Sequence, residues 1–187
     1  MKVYLLKPDT KYKLMYPEDS VSESDDWEFK CEELVDKLPQ FQAYFDKKSE
    51  KDIPDIAYIG MMTFAFRNDV ANELVDILES SSELLPFYLD DELWYLLNVR
   101  DCIDALDDEK SKYKIDNCIT KLHLVDYVFH TDQLKGKTLF KIPNDNKSQV
   151  YCVDERNSDQ AVLRNLFCAV KAHKYTGLVF QEIFSDE

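Results

Sequence analysis

The sequence is poor in glycine and in basic residues, and each shortage excludes a class of protein. Its three glycines, Gly60, Gly136 and Gly177, are 76 and 41 residues apart. Rossmann and P-loop phosphate cradles instead need clustered glycines. Lysine and arginine number 23 against 37 aspartates and glutamates, which gives a net charge of −14. A nucleic-acid binder needs a basic surface to neutralise phosphates, so that class is excluded as well.

Long apolar runs and paired cysteines are also missing. Only four apolar residues lie between Lys2 and Lys7, which is far short of a signal-peptide core. No stretch approaches the ~20 apolar residues that cross a bilayer. The five cysteines include no Cys-x-x-Cys pair, which excludes a zinc knuckle and a disulfide framework. We therefore expect a cytoplasmic chain with no membrane partner, whose cysteines are small buried apolar residues.

Apolar residues are plentiful, because 45% of the 187 residues are hydrophobic and 13% are aromatic. This composition is typical of a folded chain rather than a disordered one. A chain of this length buries roughly 70% of its unfolded surface. We expect a single globular domain over residues 1–187, in which residues 10–54 form a partly acidic N-terminal segment.

Two segments show the spacing of amphipathic helices. Val70, Leu74 and Leu78 recur at helical intervals with polar residues between them, which predicts a helix over residues 70–78. A second helix is predicted from residue 157 or 158 onward. Its apolar face is expected to carry Val162, Leu163, Leu166, Phe167 and Val170.

The remaining pattern favours strands. Two apolar runs, residues 84–89 and 92–99, flank Asp90 and Asp91 and predict a β-hairpin. Further strands are predicted at residues 3–6, 118–124, 127–130, 138–142, 149–153 and 178–184, with a strand or strand pair at 56–66. Residues 102–106 resemble a helical turn. Strands and helices do not alternate regularly, so we predict an α+β fold with a mixed or mainly antiparallel sheet and two principal amphipathic helices.

No group of residues predicts catalysis, a cofactor or a metal. The three histidines have no ligand spacing. Cys118 and His123 are five residues apart, as are Cys168 and His173, and that spacing points the two side chains of each pair in different directions. A small cytosolic hydrolase or transferase that uses Cys118, Cys152 or a carboxylate pair remains an alternative. A regulatory protein-interaction module is another.

The acidic charge is concentrated in two tracts. Residues 69–109 contain thirteen acids and one base, residues 15–36 have a net charge of −8, and residues 110–150 have a net charge of +4. Solvated acids that keep the protein soluble are one interpretation. A negative surface that captures a positively charged partner is the other.

Several short blocks, taken in their order and spacing, resemble a known family. Residues 94–99, 103–107 and 110–111 resemble a signature of the form Tyr-x-x-Asn-Val…Asp-x-Leu-Asp…Ser. Leu-Phe-Lys-Ile-Pro at residues 139–143 and Val-Tyr-Cys-Val-Asp-Glu at residues 150–155 resemble the next block of the family signature. Residues 177–184 are similar to the family's closing strand. The family is immunity protein family eleven of bacterial polymorphic toxin systems. The resemblance spans residues 55–187 and, loosely, the opening strand, whereas residues 10–54 match poorly.

This resemblance implies a non-enzymatic antidote that is encoded beside a toxin, binds it and blocks its action. The signature residues are interpreted as scaffold, so no catalytic residue is implied. Together with the clustered charge, the resemblance predicts that an acidic face covers a basic surface of a cognate protein toxin. The candidate contacts are Glu23, Asp25, Asp26, Asp90, Asp91, Glu92, Asp107, Asp108 and Glu109.

Overall fold

Two four-stranded antiparallel sheets form the framework of the protein. The structure, a computed structural model, describes residues 1–18, 29–38, 41–60, 63–115 and 121–186. Strands are numbered in chain order. The first sheet has the order β10-β11-β1-β12. Its strands are β1 (Lys2–Pro8), β10 (Leu139–Phe140), β11 (Tyr151–Asp154) and β12 (Leu178–Ser185).

The second sheet has the order β4-β5-β7-β6. Its strands are β4 (Ile56–Tyr58), β5 (Phe64–Arg67), β6 (Ser82–Leu89) and β7 (Glu92–Val99). The predicted hairpin is confirmed as β6 and β7, which pair from Ser82 and Val99 to Leu89 and Glu92. The predicted strand pair at 56–66 is confirmed as β4 and β5.

Two further strand pairs lie outside these sheets. Strands β2 (Met15–Pro17) and β3 (Ala43–Phe45) form one, and β8 (Lys112–Ile115) and β9 (Lys121–Asp126) form the other. All of these strand pairings are antiparallel, as the sequence predicts for a mainly antiparallel α+β fold.

The described residues form the α-helices α1 (Asn68–Leu78), α2 (Asp159–Leu163) and α3 (Leu166–His173). Helix α1 buries the predicted apolar face. The prediction of one continuous second helix is wrong, because the chain breaks after α2 and Asn165 caps α3 by accepting from the Cys168 N–H at 3.0 Å. Val162 and Leu163 are consequently exposed rather than buried. Across the described part of the chain, no helix combines the length and apolarity that spanning a membrane requires.

The central strands bury both faces, so the core divides into three clusters. Helices α1 and α3 pack on one side of the two sheets, against residues such as Tyr4, Leu6, Leu97 and Val99. On the opposite side of the second sheet, β2, β3, residues 29–38 and Phe41 enclose a second cluster around Trp94. A third cluster lies on the opposite side of the first sheet and includes parts of β8 and β9. Alternate residues of one strand therefore serve different clusters.

Three smaller predictions are wrong. Residues 127–130 form no regular strand, although Phe129 makes an isolated bridge with Leu106. Residues 102–106 form no helical turn, because Cys102 bridges Lys141 in extended pairing. Cys102 is also exposed and Cys31 and Cys168 are only partly buried, whereas Cys152 is buried as expected. Cys118 lies outside the described residues.

Asp154 ties the end of β11 to the start of α3. Its carboxylate accepts from the Arg156 guanidinium at 2.7 and 2.8 Å and from Asn165 Nδ2 at 2.7 Å. Burial raises the pKa of Asp154, but the hydrogen bonds from Arg156 and Asn165 outweigh it and leave that pKa below its usual value. The charged form of Asp154 therefore stabilises the fold.

Asp154→Asn is expected to lower the free energy of unfolding by about 1–3 kcal/mol at pH 7, because charged hydrogen bonds are lost inside the protein. Because the pKa of Asp154 is lower in the folded state than the value of about 3.9 in the unfolded state, its carboxylate stabilises the fold above that pH. This stabilisation is lost as the pH falls through the folded-state pKa. Urea unfolding at pH 7 and at pH 3 checks this, with the exposed Asp132→Asn as control. A stability difference that stays constant down to pH 3 would contradict it.

Candidate partner-binding surface

Asp90, Asp91 and Glu92 form the exposed tip of the β6–β7 hairpin. Leu89 pairs with Glu92, so Asp90 and Asp91 are the two residues of the turn. Asp90 has a φ of 52°, a left-handed conformation that aspartate tolerates better than most residues. None of the three carboxylates is engaged in a hydrogen bond or ion pair within the described ranges. We call these three residues the acidic tip.

Asp107, Asp108 and Glu109 have different surroundings. Asp107 is buried and accepts from the Lys110 N–H at 3.1 Å and from Lys110 Nζ at 2.8 Å. The Lys110 hydrogen bond holds the pKa of Asp107 below its usual range. Asp108 accepts a hydrogen bond from the Tyr113 hydroxyl, whereas Glu109 is exposed. The Asp107 carboxylate thus shapes its own turn, which leaves Asp108 and Glu109 nearer the solvent.

The two acidic groups, residues 90–92 and 107–109, are attached to different core clusters. The acidic tip continues strands whose residues Leu89 and Trp94 belong to the second core cluster. The turn at 107–109 follows Leu106, which belongs to the third cluster. The remaining candidates, Glu23, Asp25 and Asp26, lie outside the described residues.

The structure adds three exposed tyrosines that the sequence analysis did not single out. Tyr16 on β2 lies directly opposite Tyr44 on β3, and their rings stack with centroids 5.9 Å apart. Tyr88 on β6 makes an isolated parallel bridge with Gln42, the residue that directly precedes β3. Each of the three tyrosines stands between two buried neighbours, the period-2 pattern of a half-buried strand. That pattern was available in the sequence, but β2 and β3 are too short to predict alone.

A groove of about 680 Å³ runs beside two of these three tyrosines. Its lining includes Tyr16, Tyr44 and Asp90, so it connects the rings with the acidic tip. Its other lining residues are Glu18, Gln42, Ala43, Asp46, Lys47 and Lys48. We call the three tyrosines together with this groove the tyrosine face.

Residues 29–38 are held on the protein by residues of the signature blocks. The Asn98 side-chain amide donates to the Glu32 carbonyl and to Glu83 Oε1, both at 2.7 Å. The Lys141 ammonium is buried and donates to the Phe29 carbonyl at 2.6 Å. Burial lowers the pKa of Lys141. Asn98 and Lys141 therefore have a structural role, as expected of scaffold residues.

Of the two cysteines considered as possible nucleophiles, Cys152 is poorly placed for catalysis and Cys118 lies outside the described residues. Cys152 is fully buried, its Sγ lies 3.7 Å from the Val153 carbonyl, and burial raises the pKa of its thiol. A raised thiol pKa disfavours the reactive thiolate. His173 is engaged elsewhere, 3.8 Å from Glu73 and stacked on Tyr175. The described residues include no group of three or more potential metal ligands.

Comparison with protein families relates this chain to known sequences. Residues 90–185, half of the chain, match the sequence model of an immunity protein family, Imm11. The chain belongs to the Imm11 family. A search among curated proteins gives no match. The resemblance to immunity protein family eleven is thereby confirmed.

The Imm11 match includes the scaffold residues Asn98 and Lys141 but not the three tyrosines. It begins at the acidic tip, at Asp90, and covers β7 to β12 with α2 and α3. Asn98 and Lys141 lie within it. Tyr16, Tyr44 and Tyr88 all precede it, so the tyrosines stand on a part of the chain that the Imm11 match leaves out.

Proposed function

We propose that this protein is the immunity partner of a bacterial toxin, which it binds and neutralises in the cytoplasm. Membership of the Imm11 family is the observation that carries this proposal. The partner is a protein encoded by a neighbouring gene, rather than a nucleic acid or a membrane. The net charge of −14 supports this choice, since phosphates repel such a surface.

The neutralisation proceeds by binding and needs no reaction or cofactor. The buried, raised-pKa thiol of Cys152 supports this, because catalysis by cysteine needs an accessible thiolate. This disfavours the version of the hydrolase or transferase alternative that uses Cys152.

A basic toxin surface is the partner that the acidic residues fit best. Asp90, Asp91 and Glu92 are exposed together at one hairpin tip. Asp108 and Glu109 add charge at a second position, and Glu23, Asp25 and Asp26 remain candidates by their sequence. Complementary charge accelerates association more than it tightens a complex.

Growth of bacteria that express the adjacent toxin-like reading frame tests this function. We expect arrest when that frame is expressed alone and normal growth when this chain is expressed with it. The purified pair should associate rapidly at low salt. Arrest that continues despite abundant folded chain, together with no measurable binding, would refute the immunity role.

Charge-neutral variants test the acidic tip within that experiment. Asp90→Asn, Asp91→Asn and Glu92→Gln together are expected to slow association about tenfold at low salt, because electrostatic steering is reduced. The matched control is Asp76→Asn, Asp132→Asn and Glu79→Gln, which removes the same charge from exposed positions elsewhere. Equal association rates for the two triple variants would exclude the tip but leave the immunity role intact.

A further inference from the structure

The tyrosine face is an unusual exposed surface for its composition. Tyr16, Tyr44 and Tyr88 are 41%, 44% and 55% exposed. Large apolar side chains exposed elsewhere in the described residues are all aliphatic, so every aromatic one lies here. Tyrosine is enriched in the residues that dominate binding energy at protein interfaces, because its ring buries a large area and its hydroxyl stays hydrated.

We propose that the tyrosine face is the docking site of the toxin, and that a toxin segment bearing arginine or lysine occupies its groove. This inference rests on the immunity function proposed above. It adds the surface that recognises the toxin and the chemistry of the segment that binds there.

Charge complementarity identifies a basic occupant. Glu18, Asp46 and Asp90 line the groove with three carboxylates, against the two ammonium groups of Lys47 and Lys48. Asp91 and Glu92 add two more carboxylates at the adjoining hairpin tip. Cations also bind over tyrosine rings, to which they are attracted by the negative face of the π system. A guanidinium in the groove can therefore meet a ring and a carboxylate together.

The tyrosines stand on a rigid support. Phe45, adjacent to Tyr44, contacts the Trp94 indole at a centroid distance of 5.7 Å, and Phe87, adjacent to Tyr88, stacks on Phe41 at 4.7 Å. Trp94 and Phe87 are paired across β6 and β7. Because the strands that carry the tyrosines are packed on these buried aromatic side chains, little conformational entropy is lost when a partner binds to the rings.

The position of the three tyrosines outside the Imm11 match also suits a recognition surface. The matched residues 90–185 include the scaffold residues Asn98 and Lys141, whereas the three tyrosines come from earlier strands. An immunity protein must distinguish its own toxin from others, which requires contacts of its own on a common scaffold. The tyrosine face provides such contacts.

Replacing the tyrosines tests the docking site directly. The probe is the purified toxin domain from the adjacent reading frame, titrated calorimetrically against the full chain. Tyr16→Thr, Tyr44→Thr and Tyr88→Thr together are expected to raise the Kd at least 100-fold and to abolish protection. The matched control, Ile115→Thr, Leu122→Thr and Val125→Thr, changes three exposed apolar strand residues on β8 and β9 and is expected to shift the Kd less than threefold.

A charge reversal tests the chemistry of the occupant without touching a strand. Lys47→Glu with Lys48→Glu makes the groove more acidic and is expected to lower the Kd several-fold at low salt. The direction of the change in Kd shows whether the toxin segment is basic. A raised Kd would show that it is not. This variant also keeps the test valid if the tyrosine variant does not fold.

The outcomes separate this inference from the immunity function. A wild-type chain that binds and protects, with a folded tyrosine variant that binds within threefold of it, would overturn the docking site alone. A wild-type chain that neither binds nor protects would overturn the immunity role. Self-association of the wild type in sedimentation, abolished in the tyrosine variant, would show that a second copy occupies the face and would also overturn the proposal.

Discussion

Gly177→Ala is expected to lower the free energy of unfolding by about 3–5 kcal/mol. An alanine Cβ at this position would lie 2.1 Å from the Ile56 carbonyl oxygen and 2.5 Å from Pro54 Cβ. Both neighbours are rigid, because one is backbone and the other belongs to a proline ring. Gly177 also has a φ of +93°, which side chains rarely adopt.

The close approach at Gly177 joins the two sheets. The Ile56 N–H at the start of β4 donates to the Thr176 carbonyl, and the Asp9 N–H just after β1 donates to the Gly177 carbonyl, both at 3.0 Å. A shift that relieves the alanine clash would therefore strain contacts between the first and second sheets. This is the reason for a loss larger than backbone conformation alone would give.

Gly136→Ala is the matched control for Gly177→Ala. Gly136 has a φ of +70°, but nothing lies within 4 Å of a Cβ added there. Its substitution should cost about 1 kcal/mol, the conformational part alone. Chemical denaturation of both variants measures the difference, and an equal loss would disprove the steric contribution at Gly177.

Trp94→Ala is expected to destabilise the protein by about 3–5 kcal/mol, because a large buried side chain leaves a cavity. Trp94 is fully buried in the second cluster, between Phe45 and the cross-strand residue Phe87. The same cluster supports the tyrosine face. We therefore expect the surviving folded fraction of this variant to bind the toxin more weakly, as well as a lower unfolding midpoint.

Trp94→Phe separates packing from hydrogen bonding at the same site. The indole Nε1–H is buried without an acceptor among the described residues. Phenylalanine removes this unpaired donor, which offsets part of the lost packing, so a cost of about 1–2 kcal/mol is expected. Urea unfolding of both variants provides the comparison. A phenylalanine variant as unstable as the alanine variant would show that the N–H group contributes to stability.

Local patterns predicted the elements whose residues pack at regular intervals. Helix α1 follows the spacing of Val70, Leu74 and Leu78, and the β6–β7 hairpin follows two apolar runs around Asp90 and Asp91. The prediction of one continuous second helix was wrong, because the helical spacing of its apolar residues gave no sign of the break between α2 and α3. Asn165 caps α3 and bonds Asp154, which comes eleven residues earlier.

Composition predicted that the surface is acidic, but composition alone does not place its charges. Asp90 and Asp107 have the same chemistry, yet one lies at an exposed tip and the other is buried beside Lys110. The grouping of the tyrosines on one surface could not be predicted from the sequence for a related reason. Tyr16, Tyr44 and Tyr88 come from three separate strands, and only the pairing of those strands brings them together.

The sequence by itself determined that glycines are scarce and unclustered, that acids outnumber bases by 37 to 23, and that ordered signature blocks indicate an immunity protein. These properties depend on residue identity and order along the chain. Tertiary structure decided which acids are exposed, which glycine lies against a neighbouring strand, and which tyrosines share a face. Those properties depend on contacts between residues distant in sequence, and such contacts exist only after the sheets have formed.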